Sequence, residues 1–491
     1  MTSKTLTKSL YMVGLQCDKY LWTKIHEPNK ITSISTETKY RFEQGKLVGE
    51  LAKKMYSEGV NIPTKEFMEN VNITRKLARE RKTLFEAGIL ADEIYTRADI
   101  LKPVGIDEWD LIEVKSSTEV KKENIEDVAF QKYCCKKAGL NIKDYFLMYV
   151  NKEFVKNGVI KPEEFFATKN ITSRVNEASI GIEKKVDELL NVLASTKKPY
   201  ATIGKRCGKP YNCPLTDDCW SFMPQNNVFD LYRGGKKSTQ LFEEDILAIA
   251  NIPDDFKLSD KQEIQREVEI TGKPYVNKKK MKEFLKLLKE PLQYLDFETI
   301  SPVMPIFNGT RPYQKIPFQF SLHTIDSSTK HFSFLYDKPD DPRPAFLSSL
   351  KDALGKKGKI IVYNQVFEKG IINELGGAFS EYRNWADSTL ERVVDLLVPF
   401  RNFDYYNSSQ HGSASIKKVL PALIGRGYEA VDIKQGMDAS LEYLRITYPD
   451  INGVLPSREE IEKVRANLEE YCSLDTKAMI LIVDELRRLV K

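Results

Sequence analysis

The spacing of hydrophobic residues changes along the chain, and each change predicts a different kind of element. Apolar positions recur three and four residues apart over 42–55 and again over 174–195, which predicts amphipathic helices. Short apolar runs at 93–102 and 109–116 predict neighbouring strands. A strongly helical pattern over 458–489 follows near the end of the sequence.

These elements group into three regions. Residues 1–222 alternate helix and strand patterns and predict an α/β domain. Residues 223–290 are polar, and we expect a helical connecting segment that Pro291 ends. Residues 291–491 begin with a strand pattern, continue into a hairpin and further alternating elements, and predict a second α/β domain with a mixed sheet.

Composition narrows the class of protein. The chain has 491 residues, of which 41% are hydrophobic and 30% charged, and this suits globular domains with buried cores. The net charge is +5, and the basic excess lies in residues 1–222, which weakly favours a polyanionic partner. No apolar run reaches the roughly 18 residues needed to cross a membrane, and no secretory signal pattern is visible. We therefore expect a cytoplasmic protein without membrane contact.

Seven cysteines in such a chain indicate a reducing compartment, where clustered cysteines more often bind metal than form disulfides. Cys207, Cys213 and Cys219 are separated by five residues each, and Cys17 stands alone near the start. Four thiolates suit an iron–sulfur cluster or a structural zinc ion, and the spacing does not distinguish the two. A loop of merely buried cysteines is the remaining alternative. Three cysteines within helical patterns are expected in the core: Cys134, Cys135 and Cys472.

Carboxylates and a lysine accompany two neighbouring strand patterns in the first region. Glu113 and Lys115 are two residues apart on one strand, so their side chains leave the same face. Asp99, on the preceding strand, can lie opposite them. Two carboxylates beside an ammonium group can hold a divalent metal ion and position an attacking water. An exposed hairpin with alternating charges would show the same local pattern.

The order Asp99, then Glu113-Val-Lys115 on the next strand, resembles the core of the PD-(D/E)XK nucleases. Gln131 on the helix that follows is similar to the RecB-type branch, which includes AddB and CRISPR-associated nucleases. The resemblance implies that Asp99 and Glu113 hold Mg²⁺ or Mn²⁺. Relatives take a further ligand, often histidine, from the helix before the sheet, and Glu50 is the acid at that place here.

Those relatives also carry a [4Fe–4S] cluster, with one cysteine ligand before the nuclease core and three after it. The cysteines of this chain bracket the core in the same order. The resemblance therefore favours an iron–sulfur cluster over zinc. It implies the following ligands: Cys17, Cys207, Cys213 and Cys219.

A second set of acids lies in the last region. Asp296 and Glu298 share one face of a predicted strand, because they are two residues apart. Tyr471 and Asp475 share one face of the last predicted helix, and Glu368 follows a buried strand pattern. Acids on separate elements are what a two-metal phosphodiesterase needs, and Tyr471 can orient the nucleophile.

This ordered set resembles the DnaQ-like DEDD exonucleases of the tyrosine subtype, which have a ribonuclease H-like fold and cut from 3′ ends. The resemblance covers about residues 292–491. It implies that Asp296, Glu298, Glu368 and Asp475 hold Mg²⁺ or Mn²⁺. The family has aspartate as its third acid, so Glu368 is one methylene longer than usual.

The whole chain resembles a bacterial family that joins a RecB-like iron–sulfur nuclease to a DnaQ-like exonuclease, on segments such as 294–299 and 412–421. We therefore expect a PD-(D/E)XK restriction-endonuclease-like domain followed by a ribonuclease H-like domain. The expected function is that of a metal-dependent deoxyribonuclease with two active sites, processing DNA ends or single strands in repair or defence. Two alternatives stay open. The C-terminal site can act on RNA, or the protein can bind nucleic acid through partly inactive sites.

Overall fold

A computed structural model describes residues 5–31, 35–64, 66–425, 427, 436–448 and 456–491. The chain divides into two compact units. The first unit contains Met1–Phe222 and Pro302–Gln314, and the second contains Met223–Ser301 and Lys315–Lys491. The division after residue 222 coincides with the expected boundary. Residues 302–314 pack with the first unit, and the expected connecting segment 223–290 packs with the second.

The first unit is built on a mixed β-sheet in the order β2-β3-β4-β5-β6-β7, with β1 paired to β4. Strands β3, β4 and β5 are antiparallel, β5 and β6 are parallel, and β7 returns antiparallel to β6. The strands are β1 (Leu6–Thr7), β2 (Val60–Asn61), β3 (Leu84–Ala91), β4 (Ile94–Val104), β5 (Glu108–Lys115), β6 (Ile142–Val150) and β7 (Phe166–Asn170).

Helices cover this sheet, and their apolar residues form its core. Helix α5 carries Phe130, Cys134 and Cys135 into that core, as expected for the two cysteines. The helices are α1 (Lys8–Gln16), α2 (Asp18–His26), α3 (Thr36–Lys53), α4 (Phe67–Arg79), α5 (Lys122–Lys137), α6 (Pro162–Phe165), α7 (Thr172–Ala178), α8 (Ile182–Ala194) and α9 (Thr216–Cys219).

The second unit contains a mixed sheet in the order β11-β10-β9-β12-β13 and a short pair of strands, β14-β8. The central strand β9 is antiparallel to β10 and parallel to β12. The expected hairpin is present as β10 and β11. The strands are β8 (Tyr275–Val276), β9 (Leu292–Ile300), β10 (Ile316–Ile325), β11 (Thr329–Leu335), β12 (Lys359–Val362), β13 (Val393–Asp395) and β14 (Tyr405–Tyr406).

Residues 223–290 are not only a connecting segment, because they form a hydrophobic cluster and contribute a strand to the second unit. Their apolar side chains form a small cluster around Val228 and Leu241, and β8 pairs with β14. The helices of the second unit are α10 (Lys236–Glu243), α11 (Asp260–Thr271), α12 (Lys278–Leu285), α13 (Arg343–Leu354), α14 (Gln365–Ala378), α15 (Arg383–Leu390), α16 (Val398–Arg401), α17 (Ile416–Ile424), α18 (Gly436–Thr447) and α19 (Arg458–Leu489).

The fold is therefore α/β in both units. Across the described helices, none combines the length and the apolar character that a membrane crossing requires.

Candidate functional site

Three carboxylates of the second unit converge on one point. Asp296 and Glu298 leave the same face of β9, and Asp475 reaches them from α19. Ligand oxygens of the three residues all lie within 4.8 Å of one another. This donor set fits a divalent cation, because Mg²⁺ and Mn²⁺ prefer carboxylate oxygen.

Contacts between β10 and α19 fix the position of Asp475. The Gln319 side chain donates to the carbonyl oxygen of Leu468 at 2.8 Å, and the hydroxyl oxygens of Ser321 and Thr476 are 2.9 Å apart. Cys472 lies in the core as expected, but its sulfur is also 3.6 Å from a carboxylate oxygen of Asp296. The helix is thus held to the sheet on both sides of its acid.

The three acids repel one another in a buried place. Burial and the Asp475 charge raise the pKa of Asp296 well above its usual range. Burial, followed by the charges of Asp296 and Asp475, does the same to the pKa of Glu298. Carboxyls crowded in this way take up protons unless a cation neutralises them, so the site favours a positive ion.

Tyr471 and Lys417 stand beside these acids. The Lys417 ammonium group donates to the Tyr471 hydroxyl oxygen at 3.0 Å and lies 5.0 Å from the centre of its ring. Burial and the neighbouring carboxylates raise the pKa of Tyr471 far above its usual value, so the phenol keeps its proton. With its oxygen engaged by Lys417, the hydroxyl hydrogen is free to point at another acceptor.

Glu368 lies close to the triad but is not part of it. It occupies the first turn of α14 and is 2% exposed, and the Asp296 charge contributes to a raised pKa that burial dominates. Its Oε2 atom is buried and has no hydrogen-bond partner among the described residues. Asp395, on β13, instead accepts hydrogen bonds from the backbone N–H groups of Asn364 and Leu397, both at 3.0 Å.

A second acidic site lies in the first unit, where β4 and β5 run antiparallel. Ile100 is paired with Ile112, which sets Asp99 beside Glu113. A carboxylate oxygen of Asp99 accepts a hydrogen bond from the backbone N–H of Val114 at 2.8 Å. The predicted meeting of these two acids across the strands is therefore present.

Lysine and glutamine side chains surround Glu113, which is 1% exposed. Lys115 donates to its Oε1 at 2.6 Å and to Asp127 Oδ2 at 2.7 Å. Gln131 donates to Glu113 Oε2 at 2.6 Å, and Lys8 approaches Oε1 at 2.9 Å. Glu113 is therefore held from three directions.

The two acids of this site differ in their ionisation. Burial and the neighbouring Glu113 charge raise the pKa of Asp99 to about 7, despite the opposing charges of Lys8 and Lys115. Burial also disfavours the ionised form of Glu113, yet the ammonium groups of Lys115 and Lys8 outweigh it and hold that pKa well below the usual range. Glu113 therefore carries its negative charge at neutral pH.

Glu50, the further ligand suggested by the family resemblance, points away from these groups. Its side chain is 59% exposed and pairs with Lys53 at 2.8 Å on the surface of α3. The structure therefore does not bring Glu50 to the site formed by Asp99 and Glu113.

The four cysteines implied as cluster ligands come together in the first unit. Cys17, at the junction of α1 and α2, lines one pocket with Cys207, Cys213 and Cys219. Within the described residues, no three of these sulfurs lie within 4.8 Å of one another, as the acidic triad does. Four thiolate donors at one pocket suit a metal ion or an iron–sulfur cluster.

Hydrogen bonds hold the cysteine loop in place. Gln16, at the end of α1, donates to the carbonyl oxygens of Arg206 at 2.9 Å and Tyr211 at 2.7 Å. The Lys19 ammonium group lies 3.1 Å from the Cys219 sulfur. This contact places a positive charge against one sulfur of the set.

Sequence reasoning missed three polar residues at these sites. Asp127 precedes Gln131 by four residues on α5, and this spacing was a usable signal. Lys417 falls within segment 412–421, but its contact with Tyr471 spans 54 positions. Lys8 carried no local signal, because its approach to Glu113 spans 105 positions.

This chain is similar to a domain of unknown function and to two uncharacterized proteins. Residues 293–415 match the family model of a domain of unknown function, DUF2779. The matched segment of this chain includes Asp296, Glu298 and Glu368. An uncharacterized protein of Mycoplasma pneumoniae, the MG366 homolog, is 28% identical over 224 residues, covering 41% of this chain and 33% of that protein. The uncharacterized protein MG366 of Mycoplasma genitalium is 28% identical over 226 residues, covering 42% and 33%. The matched part of this chain thus spans about a third of the length of these curated relatives.

Proposed function

We propose that this protein is a metal-dependent nuclease with one active site in each unit, acting on DNA ends or single strands in repair or defence. The observation that carries the proposal is the convergence of Asp296, Glu298 and Asp475 within 4.8 Å. Such crowded acids suit Mg²⁺ or Mn²⁺, and Tyr471 beside them is suited to orient a water molecule. On the sequence resemblance, we infer a ribonuclease H-like, DEDD-type domain for this unit.

In the second unit, a bound divalent ion would activate water and stabilise the leaving oxygen. Asp296, Glu298 and Asp475 would hold it, with Glu368 nearby as a further ligand. Tyr471 keeps its proton and serves as a hydrogen-bond donor that orients the attacking water, rather than as a base. Lys417 fixes the direction of that donor by binding the phenol oxygen.

In the first unit, Asp99 and Glu113 would hold the metal ion. Lys115 supplies positive charge for the phosphate, and Gln131 fixes the orientation of Glu113. Together with the sequence order of these residues, this arrangement supports a PD-(D/E)XK-like nuclease domain.

We assign the cysteine pocket to a [4Fe–4S] cluster held by Cys17, Cys207, Cys213 and Cys219. The support for a cluster rather than zinc is the sequence order, one cysteine before the nuclease core and three after it, which resembles that of the iron–sulfur nucleases. The role of the cluster would be structural, because it joins the start of the unit to a loop almost 200 residues later.

An assay on end-labelled substrates tests the proposed activity. Purified full-length protein is incubated with single- and double-stranded DNA and with RNA, in Mg²⁺, Mn²⁺ or EDTA. We expect metal-dependent cleavage of DNA, with the 3′-end activity lost in Asp475→Asn and kept in Glu470→Gln, an exposed acid on the same helix. Cleavage of RNA alone would make the second site a ribonuclease. Binding without cleavage in either metal would refute the proposal and favour a nucleic-acid-binding protein.

A further inference from the structure

One oxygen of Glu113 is shared by two ammonium groups. Lys115 Nζ lies 2.6 Å from Oε1, and Lys8 Nζ lies 2.9 Å from the same atom. Lys8 also lies 3.6 Å from Asp127 Oδ1. Lys115 is part of the expected site, whereas Lys8 has no place in it.

The main chain around Lys8 is fixed. Strand β1 ends at Thr7 and pairs with β4 at Ile94 and Tyr95, the strand that also carries Asp99. The Thr7 side chain then accepts a hydrogen bond from the backbone of Leu10 and begins α1. The Lys8 side chain is 22% exposed on a flexible four-carbon stem, so its ammonium group can move while its backbone stays in place.

While both lysines remain, the site has too little net negative charge to favour a divalent metal ion. Asp99, Glu113 and Asp127 carry three negative charges when ionised, and the two lysines cancel two of them. A divalent ion would then make the cluster positive and would lie against an ammonium group on the same oxygen, which is strongly repulsive in a buried site. Without Lys8, two negative charges remain and match a divalent ion.

We propose that Lys8 occupies the cation position of the first site in the metal-free protein, and that a divalent ion displaces its ammonium group onto the phosphate of the bound strand. This inference rests on the proposed nuclease function of that site. Lys8 is then a mobile positioning group. It pairs with Glu113 when no cation is bound to that carboxylate and adds a phosphate contact once metal and nucleic acid are bound.

Metal affinity tests the first half of this proposal. Full-length protein carrying Asp296→Ala, which weakens the second site, is titrated with Mn²⁺ with and without Lys8→Met. We expect Lys8→Met to tighten Mn²⁺ binding about tenfold, because a competing cation is removed. Lys8→Arg keeps the charge and should bind Mn²⁺ more weakly than Lys8→Met. Lys122→Met removes an exposed lysine of α5 that pairs with Glu126, and it should leave the affinity unchanged.

Affinity for a labelled single-stranded DNA in Ca²⁺ tests the second half. Lys8→Met should weaken DNA binding about tenfold, through the loss of one charged phosphate contact. Unchanged or weaker Mn²⁺ binding by Lys8→Met would show that Lys8 is a fixed ion pair and would overturn the proposal. Unchanged DNA affinity would overturn the transfer to phosphate. If Glu113→Ala binds Mn²⁺ as its parent does, the first site holds no metal, and the proposed function of that site fails as well.

Discussion

The Lys417 ammonium group donates a hydrogen bond of 3.0 Å to the hydroxyl oxygen of Tyr471, on the side of the second unit where three acids converge. Lys417 comes from α17 and Tyr471 from α19, so the contact joins two helices as well as two functional groups. Because the Tyr471 oxygen accepts from Lys417, the Tyr471 hydroxyl donates its own hydrogen in one defined direction.

Removing either partner of this contact should slow cleavage at the second site. We expect Tyr471→Phe to lower kcat about 100-fold, because the attacking water loses the donor that orients it and a misplacement of about 1 Å costs about that much. Lys417→Met should lower kcat about 10- to 100-fold, the value of a hydrogen bond to a charged group. Lys418→Met, the next residue along the chain, is the matched control and should retain activity. Equal rates for Tyr471→Phe and wild type would remove Tyr471 from the mechanism.

Glu368 should lower the thermal stability of the second unit when metal is absent and should strengthen metal binding. It is a buried acid with an unsatisfied oxygen and a repulsive neighbour, Asp296. In EDTA, Glu368→Gln should raise the thermal midpoint by about 2–4 °C, as expected for a gain of about 1 kcal/mol in a unit of this size. The same change should weaken Mn²⁺ binding in calorimetry.

Asp352→Asn, at an exposed position of α13, is the control for this comparison and should change neither quantity. A lower thermal midpoint for Glu368→Gln in EDTA would show that Glu368 is a structural residue.

The assignment of the cysteine pocket to an iron–sulfur cluster predicts that the first unit binds iron and is stabilised by it. Cys213→Ser should lose the iron and the visible absorption of the purified protein. It should also lower the thermal midpoint of the first unit by roughly 6–12 °C, if the cluster contributes about 3 kcal/mol. Cys135→Ser, in the hydrophobic core, should destabilise the unit but keep its iron. Zinc in place of iron in anaerobically purified protein would contradict the cluster assignment.

His323 should make the second unit less stable in mild acid. Burial, His331 and Lys477 lower the pKa of His323 from 6.5 to about 4, while its ring bonds to Thr476 at 2.9 Å. Between pH 6.5 and pH 4, His323 is protonated in the unfolded chain but neutral in the folded protein. The free energy of unfolding therefore falls as the pH drops from 6.5 to 4. The urea midpoint of wild type should decline more steeply over this range than that of His323→Gln. Parallel curves would show that His323 is protonated in the folded protein.

The sequence predicted those parts of the sites that depend on local spacing. Asp296 and Glu298 share a strand face, and Tyr471 and Asp475 share a helix face, because strand and helix periods fix these relations. Lys8 could not be predicted, since its place depends on the pairing of a two-residue strand with β4.

The boundary after residue 222 was predicted, but the assignment of residues 302–314 to the first unit was beyond local reasoning. Residues 302–314 join the first unit through specific long-range contacts. The backbone N–H of Val303 donates to the Gln44 side chain, and the Tyr313 hydroxyl donates to the carbonyl oxygen of Ser116. Neither contact leaves a period or a motif in the sequence.

Separation of the two activities tests the central claim most directly. Wild type, Glu113→Ala, Asp296→Ala and the double variant are compared on DNA labelled at either end, in Mg²⁺ and Mn²⁺. We predict that each single variant loses one pattern of products and keeps the other, and that the double variant cleaves nothing. Identical product patterns from all four proteins would contradict the account, because neither acid would then belong to an active site.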